Sequence, residues 1–331
     1  MESAIMNVSC SCAASATPRT GHEASVPFSL RNVLVAVDPL ADQHPCIDKA
    51  VRLAVRYGSA IELFICDTDQ SLHEGGGSAL AAYEHRQQAR LRRLEMLEGL
   101  AGPLRAAGLN VSTAAAWNSS LATGITEHAL RTSVDLVVKD AHRHLPAPMW
   151  ATSHTDPNLI REVPSALLLV HPNNWSSTPK LAVAVDPCHP VERSPQLDGR
   201  LMEVARSLST RLAGSLEVVH VVGTPPHLPD VAVTDEARAA AEAKALVEVR
   251  ALLGTADVEC PIHLEHGPVA KTLLSFTARH HPNILVIGAP ARPRRDELLA
   301  GGAAAQLLDH VDCDLLVIKQ PGFVSSLLIT D

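Results

Sequence analysis

Aromatic side chains are scarce in this chain: four Phe, three Trp and two Tyr make up 3% of 331 residues. Its cores must therefore be built from the Ala, Val, Leu and Ile that dominate a 46% hydrophobic composition. Such side chains suit helices packed on a buried parallel sheet. Long hydrophobic runs are missing as well. The longest are about strand length, too short to span a bilayer. Met1 to Ala24 has no basic start followed by an apolar core, so nothing there resembles a secretion signal. The expectation is a cytoplasmic protein with no membrane contact. Excess positive charge is also absent. A net charge of −8 excludes a dominant nucleic-acid surface. No GxSxG elbow frames a nucleophile, and there is no Walker A sequence.

Seven cysteines are an odd number. Cys46, Cys66, Cys188, Cys260 and Cys313 are scattered and read as reduced core or loop thiols. Cys10-Ser11-Cys12 is the one close pair. With no second CxxC-type pair to complete a metal or redox set, it reads as part of a tail.

What the chain does have is itself, twice. Val35-Ala36-Val37-Asp38-Pro39 recurs as Val183-Ala184-Val185-Asp186-Pro187, 148 residues on. Asp135-Leu136-Val137-Val138 returns as Asn283-Ile284-Leu285-Val286, and Val163 through Val170 as Val311 through Ile318, at the same offset. A period this long exceeds any solenoid repeat and matches a small domain. Differences between the copies can then be read as a comparison within one sequence. The division expected is a disordered extension over 1–29, a first domain over 30–172, a linker over 173–179, a second domain over 180–319 and a tail over 320–331.

In copy one, strands are expected at Asn32–Val37, Ile61–Cys66, Asn110–Trp117, Asp135–Lys139 and Ala166–Val170. Helices are expected at Cys46–Tyr57, Leu80–Ala107 and Ser120–Thr132, with one short helix before the last strand. Ile47, Ala50, Leu53 and Ala54 give the first helix its apolar stripe, and Gly58 stands where a C-terminal cap belongs. Copy two repeats the order, with strands near Leu181–Val185, Ser215–Val221, Glu259–Leu264, Ile284–Ile287 and Asp314–Ile318. Its helices fall near Leu197–Leu212, Asp235–Leu253, Val269–His280 and Gly302–His310. Strands alternating with helices imply right-handed βαβ units. The fold expected is α/β: two tandem, Rossmann-like domains, each with a five-stranded parallel sheet.

Ligands of open α/β sheets bind beyond the carboxyl ends of the strands, where strand order reverses. That points to Asp186 and Gly288 in copy two, and to Asp38 and Asp140 in copy one. After Gly288, copy two continues Ala289-Pro290-Ala291-Arg292-Pro293-Arg294-Arg295, and Gly301-Gly302-Ala303 opens a helix. No Ser, Thr, Asp or Asn caps that helix, so its N–H groups and the loop arginines suit a phosphate. Solvated arginines beside a Gly-Gly turn are the alternative.

These residues resemble a tandem universal stress protein, most of all the E type, in which two domains of an adenine-nucleotide-binding, α-hydrolase-like fold are fused. The family signature runs glycine, two residues, glycine, nine residues, then glycine and Ser or Thr. Gly288 matches its first glycine and Gly301 its third. Ala291 replaces the second glycine, and Gly302 replaces the hydroxyl residue. The resemblance spans about residues 30 to 319 and implies ATP or another adenine nucleotide as the ligand of copy two. It places Asp186 near the adenosine and Val221, after His220, against the base. A Cβ at Ala291 crowds the approach to phosphate, and Gly302 lacks a donor hydroxyl. The site is weakened relative to the family pattern and not erased.

Copy one departs further. Its signature positions hold Asp140, Arg143, Ser153 and His154. Asp140 puts negative charge where a phosphate would lie, and Thr155-Asp156-Pro157 resembles an internal helix cap. Copy one is expected not to bind a nucleoside triphosphate. His142 and His144 beside Asp140 have no helical or hairpin frame for a metal. His280-His281 reads as a cation-capable helix end. Arg90, Arg92 and Arg93 read as the solvated face of a helix.

Three functions fit. The first is a non-enzymatic stress-adaptation protein with one nucleotide site, in copy two. The second is a partner-binding scaffold with both sites inactive. The third is a slow ATPase, with Asp186 as the metal ligand. Partners expected are a small nucleotide, no nucleic acid, and an intramolecular pseudo-dimer open to further self-association.

Overall fold

The computed structural model describes residues 28–68, 79–141, 155–188, 195–222, 234–254, 260–289, 302–308 and 310–328. Most of the extension over 1–29, and with it Cys10 and Cys12, lies outside them, as do His142, His144, Ala291, Arg292 and Gly301.

Copy one runs β1 (Asn32–Ala36), α1 (Pro45–Tyr57), β2 (Ala60–Asp67), α2 (Ala79–Ala106), β3 (Val111–Trp117), α3 (Leu121–Thr132), β4 (Leu136–Asp140), α4 (Thr155–Glu162) and β5 (Ala166–Val170). Copy two runs β6 (Lys180–Ala184), α5 (Pro195–Leu212), β7 (Ser215–Val222), α6 (Asp235–Leu253), β8 (Ile262–His266), α7 (Val269–His280), β9 (Ile284–Ala289), α8 (Gly302–Leu308) and β10 (Asp314–Lys319). The third strand of copy two starts three residues later than its apolar pattern suggests. Pro261 stands just ahead of it, and a proline has no N–H to give a ladder.

The elements form for local reasons. In α1 the stripe of Ile47, Ala50, Leu53 and Ala54 is buried, and Gly58 closes the helix at φ +73°, its N–H donating to Ala54 O at 2.7 Å. Glycine reaches that region without strain. Ser120 caps α3 by accepting the Thr123 N–H at 3.3 Å. Thr234 caps α6 by accepting that of Ala237 at 3.2 Å. The duplication extends to backbone detail. Ser133 and His281, equivalent positions of the repeat, end α3 and α7 in left-handed conformations at φ 49° and 48°.

The two copies do not make two sheets. One ten-stranded sheet runs in the order β3-β2-β1-β4-β5-β10-β9-β6-β7-β8. Within each copy the five strands are parallel, and the copies meet where β5 pairs antiparallel with β10, Leu168 opposite Leu316. Alternate strand residues feed two cores. Val33 and Val35 pack under α1, α2, α5 and α6. Leu34 and Ala36 pack under α3, α4, α7 and α8.

A buried charged knot fastens the copies. Lys49 of α1 meets Asp314 of β10 at 2.8 Å, with side chains 6% and 1% exposed. The same carboxylate accepts the His171 N–H at 2.8 Å and the Trp175 indole N–H at 2.7 Å. Lys49 also donates to His171 O at 2.7 Å. The segment over 173–179 is thus packed, not loose: Trp175 is buried, and Arg52 donates to the carbonyls of Trp175, Ser176 and Ser177. Burial pushes the Asp314 carboxyl up, against the pull of Lys49. The chain after β10 also folds back, Glu162 accepting from the backbone and hydroxyl of Ser326.

Two of these buried charges can be probed directly. Lys49→Met strands Asp314 and is expected to cost about 3–5 kcal/mol, read as a lower urea midpoint. Lys319, which donates to Ile160 O, is pulled by burial down to about 8. Its folded pKa lies below its unfolded one, so the unfolded chain holds the extra proton between about pH 8 and pH 10.4. Stability tied to Lys319 therefore rises with pH through that window. Between pH 7 and pH 10 the stability gap between Lys319→Met and the parent should shift towards the parent by on the order of 2 kcal/mol.

Candidate functional site

In copy two, strand order reverses between β6 and β9. Asp186 follows β6, Val221 lies near the end of β7, and Gly288 lies in β9. All three line one crevice there, with Leu273 of α7 and Leu307 of α8. The structure thus brings together three of the eight residues expected from the sequence. Gly302 and Ala303 open α8, whose Ala304 also lines the crevice. Ala291, Arg292 and Gly301 lie outside the described residues, so the arginine loop has no described geometry.

Two buried polar residues to which the sequence assigned no role adjoin Asp186. Asp198 of α5 is buried and accepts the Asp186 N–H at 3.0 Å, which fixes the turn after β6. Its signal was a carboxylate within the apolar stripe of Leu197, Leu201 and Met202. His220 is buried and donates from Nδ1 to Val185 O at 3.0 Å. The same nitrogen stands 3.8 Å from Asp186 Oδ1. One oxygen of Asp186 therefore lies near the ring but beyond hydrogen-bond distance, and the side chain remains partly exposed.

Gly288 is required for a reason other than phosphate approach. A Cβ there would stand 2.8 Å from Leu197 Cδ2. With glycine there, Leu197 of α5 packs directly on the strand end, and a larger residue would have to push that side chain aside. The crevice is also small, ≈ 50 Å³, where ligand pockets usually start near roughly 300 Å³.

Copy one has the larger crevice, ≈ 380 Å³, lined by Asp38, Asp67, Asp140, Arg93 and Lys139 among others. Arg93 pairs with Asp67 at 2.9 Å, and Lys139 pairs with Asp156 at 2.9 Å. Asp38 accepts the Leu40 N–H at 2.9 Å. Asp140 accepts the Cys46 N–H at 2.8 Å, holding the first turn of α1, while burial pushes its carboxyl up. Three carboxylates against two cations, both already paired, disfavour a triphosphate. Asp156 differs in detail from the cap expected of it: its carboxylate is buried against Lys139. Of the helix-face arginines, Arg90 is likewise engaged, donating to Ala115 O at 3.0 Å, while Arg92 is exposed as expected.

The sequence profile described as universal stress protein family matches residues 29–171 and again 180–319. The chain belongs to the universal stress protein family. Universal stress protein E of Salmonella typhi is 25% identical over 91% of this chain and 98% of its own length. The homologue from Haemophilus influenzae is 22% identical over 88% and 98%. A solved protein of unknown function from Pseudomonas aeruginosa PAO1 matches at a TM-score of 0.65, with 21% identity, over 88% of this chain and 93% of its own. A universal stress protein from Archaeoglobus fulgidus matches at 0.62, with 14% identity, over 89% and 98%. Two-domain architecture is therefore shared along almost the whole length of these relatives.

Within this universal stress protein fold, Gly288 can be tested as a packing residue. Gly288→Ala should destabilise by about 1–3 kcal/mol. The penalty should shrink in a Leu197→Ala background, which a double-mutant cycle by urea unfolding would show.

Proposed function

We propose that this universal stress protein acts without catalysis in stress adaptation, and that copy two takes an adenine nucleotide. The observation that carries the reading is the convergence of Asp186, Val221 and Gly288 on one crevice at the strand-order reversal. Asp186 offers a carboxylate suited to ribose hydroxyls, and Val221 an apolar wall suited to a base. Copy one serves as a scaffold, its crevice carrying an excess of carboxylates.

A specific observation favours a second reading, a partner-binding scaffold with neither site liganded. The copy-two crevice holds ≈ 50 Å³, so a nucleotide would need α7 or α8 to give way. Isothermal titration with ATP, ADP and AMP separates the two. A single site per chain, weakened about tenfold or more in Asp186→Ala through the loss of charged hydrogen bonds, supports the nucleotide. No heat with any of the three leaves the scaffold.

A further inference from the structure

At the other end of β7 from Val221, three side chains from three elements meet. Glu217 of β7, His263 of β8 and His280 of α7 each offer a ligand atom, all within 4.8 Å of one another. His263 Nε2 lies 3.3 Å from Glu217 Oε2, and His280 Nδ1 lies 3.5 Å from the same oxygen. A tetrahedral zinc ion with bonds of about 2.0–2.1 Å holds its ligand atoms about 3.3–3.4 Å apart. The two measured separations match that edge. We propose that Glu217, His263 and His280 form a site for a divalent first-row cation, zinc above all, with water in the fourth position.

The cluster has the marks of a built site. Glu217 is 4% exposed near the start of β7, where a carboxylate is costly unless its charge is met. His263 Nε2 is buried and makes no hydrogen bond, being out of line for one with the nearby Oε2. The rings are held in place: His280 stacks on Phe276 at 4.2 Å and 13°, and His263 meets His280 edge-on at 4.4 Å. Each imidazole remains about a quarter exposed, which leaves a way in for an ion and its water. Lys180 stands on the far oxygen, 3.1 Å from Oε1, with its own hydrogen bond to His280 O at 3.0 Å. It orients the carboxylate as outer partners of metal ligands do. Its charge opposes the cation, so micromolar affinity is expected rather than the tighter binding of closed structural sites.

The duplication supplies an internal contrast. Ser215 pairs with Lys180 as Ala60 pairs with Asn32, so Glu62 holds in copy one the register position of Glu217. Glu62 meets one imidazole, His128, at 3.0 Å, and Arg131 lies on that ring's other nitrogen at 3.0 Å. This is a closed hydrogen-bond chain that occupies both ring nitrogens. Arg279 is the repeat equivalent of Arg131, but Glu265 draws it away in an ion pair of 2.7 Å. Ala114, which pairs with Phe64, gives way to His263, which pairs with Val219. Copy two thus sets two imidazoles beside its glutamate where copy one has one, and its equivalent guanidinium is engaged elsewhere.

The test uses the full chain, stripped with chelator, in a Cys10→Ser, Cys12→Ser background so that the N-terminal thiols take no metal. Zinc titration by calorimetry should show one micromolar equivalent, and Co²⁺ should give the visible absorption of a tetrahedral N/O site. His263→Ala and His280→Gln should each abolish that equivalent and the Co²⁺ spectrum with circular dichroism unchanged. The copy-one variant His128→Ala should retain both. An equivalent that survives in His263→Ala and His280→Gln, or no zinc uptake by the parent, overturns the proposal. Nucleotide binding plays no part in this experiment, so its outcome is independent of the copy-two crevice.

Discussion

The molecule turns on one buried carboxylate. Asp314 opens β10, and its two oxygens gather an ammonium from α1, the backbone N–H at the exit of β5 and the indole N–H of the connecting segment. All three donors belong to the first copy or to the link that follows it. The carboxylate belongs to the second. Each copy, built alone, would end its sheet in a bare apolar edge: Ala166–Val170 in one and Asp314–Lys319 in the other. Such edges recruit other chains. Pairing them antiparallel removes both, and the charge cluster sets the strand ends in register. The desolvation of Asp314 is offset only while all its donors are in place, so the arrangement specifies one geometry of the copies rather than a sliding interface.

Duplication then let equivalent positions drift to different uses. At the end of the fourth strand, Asp140 holds the start of α1, whereas Gly288 makes room for Leu197. At the second strand, Glu62 closes a hydrogen-bond chain, whereas Glu217 sits among imidazoles. The framework tolerates these changes because the strands between them are apolar on both faces and pack against helices regardless. Chemistry is confined to strand ends and to the few polar residues buried in mid-strand.

Much of the fold was legible in the sequence, and for identifiable reasons. Strands buried on both faces read as unbroken apolar runs, and helices such as Pro45–Tyr57 announce themselves by stripe and terminal glycine. The β5–β10 pairing was not legible, because VPSALLLV and VDCDLLVI carry no mark of what lies beside them. The knot was missed for a related reason: Lys49 and Asp314 are 265 residues apart, and neither breaks its local pattern. In the crevice, Asp186 and Gly288 were found by the rule for strand ends, and Val221 by the family resemblance. Asp198 was not, since it takes a packed helix to aim it at the turn after β6. Glu217 did leave a signal, a charge inside SLEVVHVV, but its meaning depends on partners from two later elements.

The two regions of interest in copy two share their mechanical parts. Strand β7 carries Glu217 near its start and Val221 near its end, four residues or about 13 Å apart. Helix α7 spans the same distance in reverse. Val269 and Leu273 line the crevice, while His280 ends the helix at the Glu217 cluster. Helices α7 and α8 both line the crevice, so widening it for a ligand would move one or both of them. A helix of twelve residues moves as a rigid rod of about 18 Å. Fastening its far end through His280 leaves the near end only rotation about that point. An ion at the cluster would therefore restrict one of the two helices that line the crevice without touching the crevice itself. Lys180 already holds the end of α7 to the strand, pairing with Glu217 while donating to His280 O.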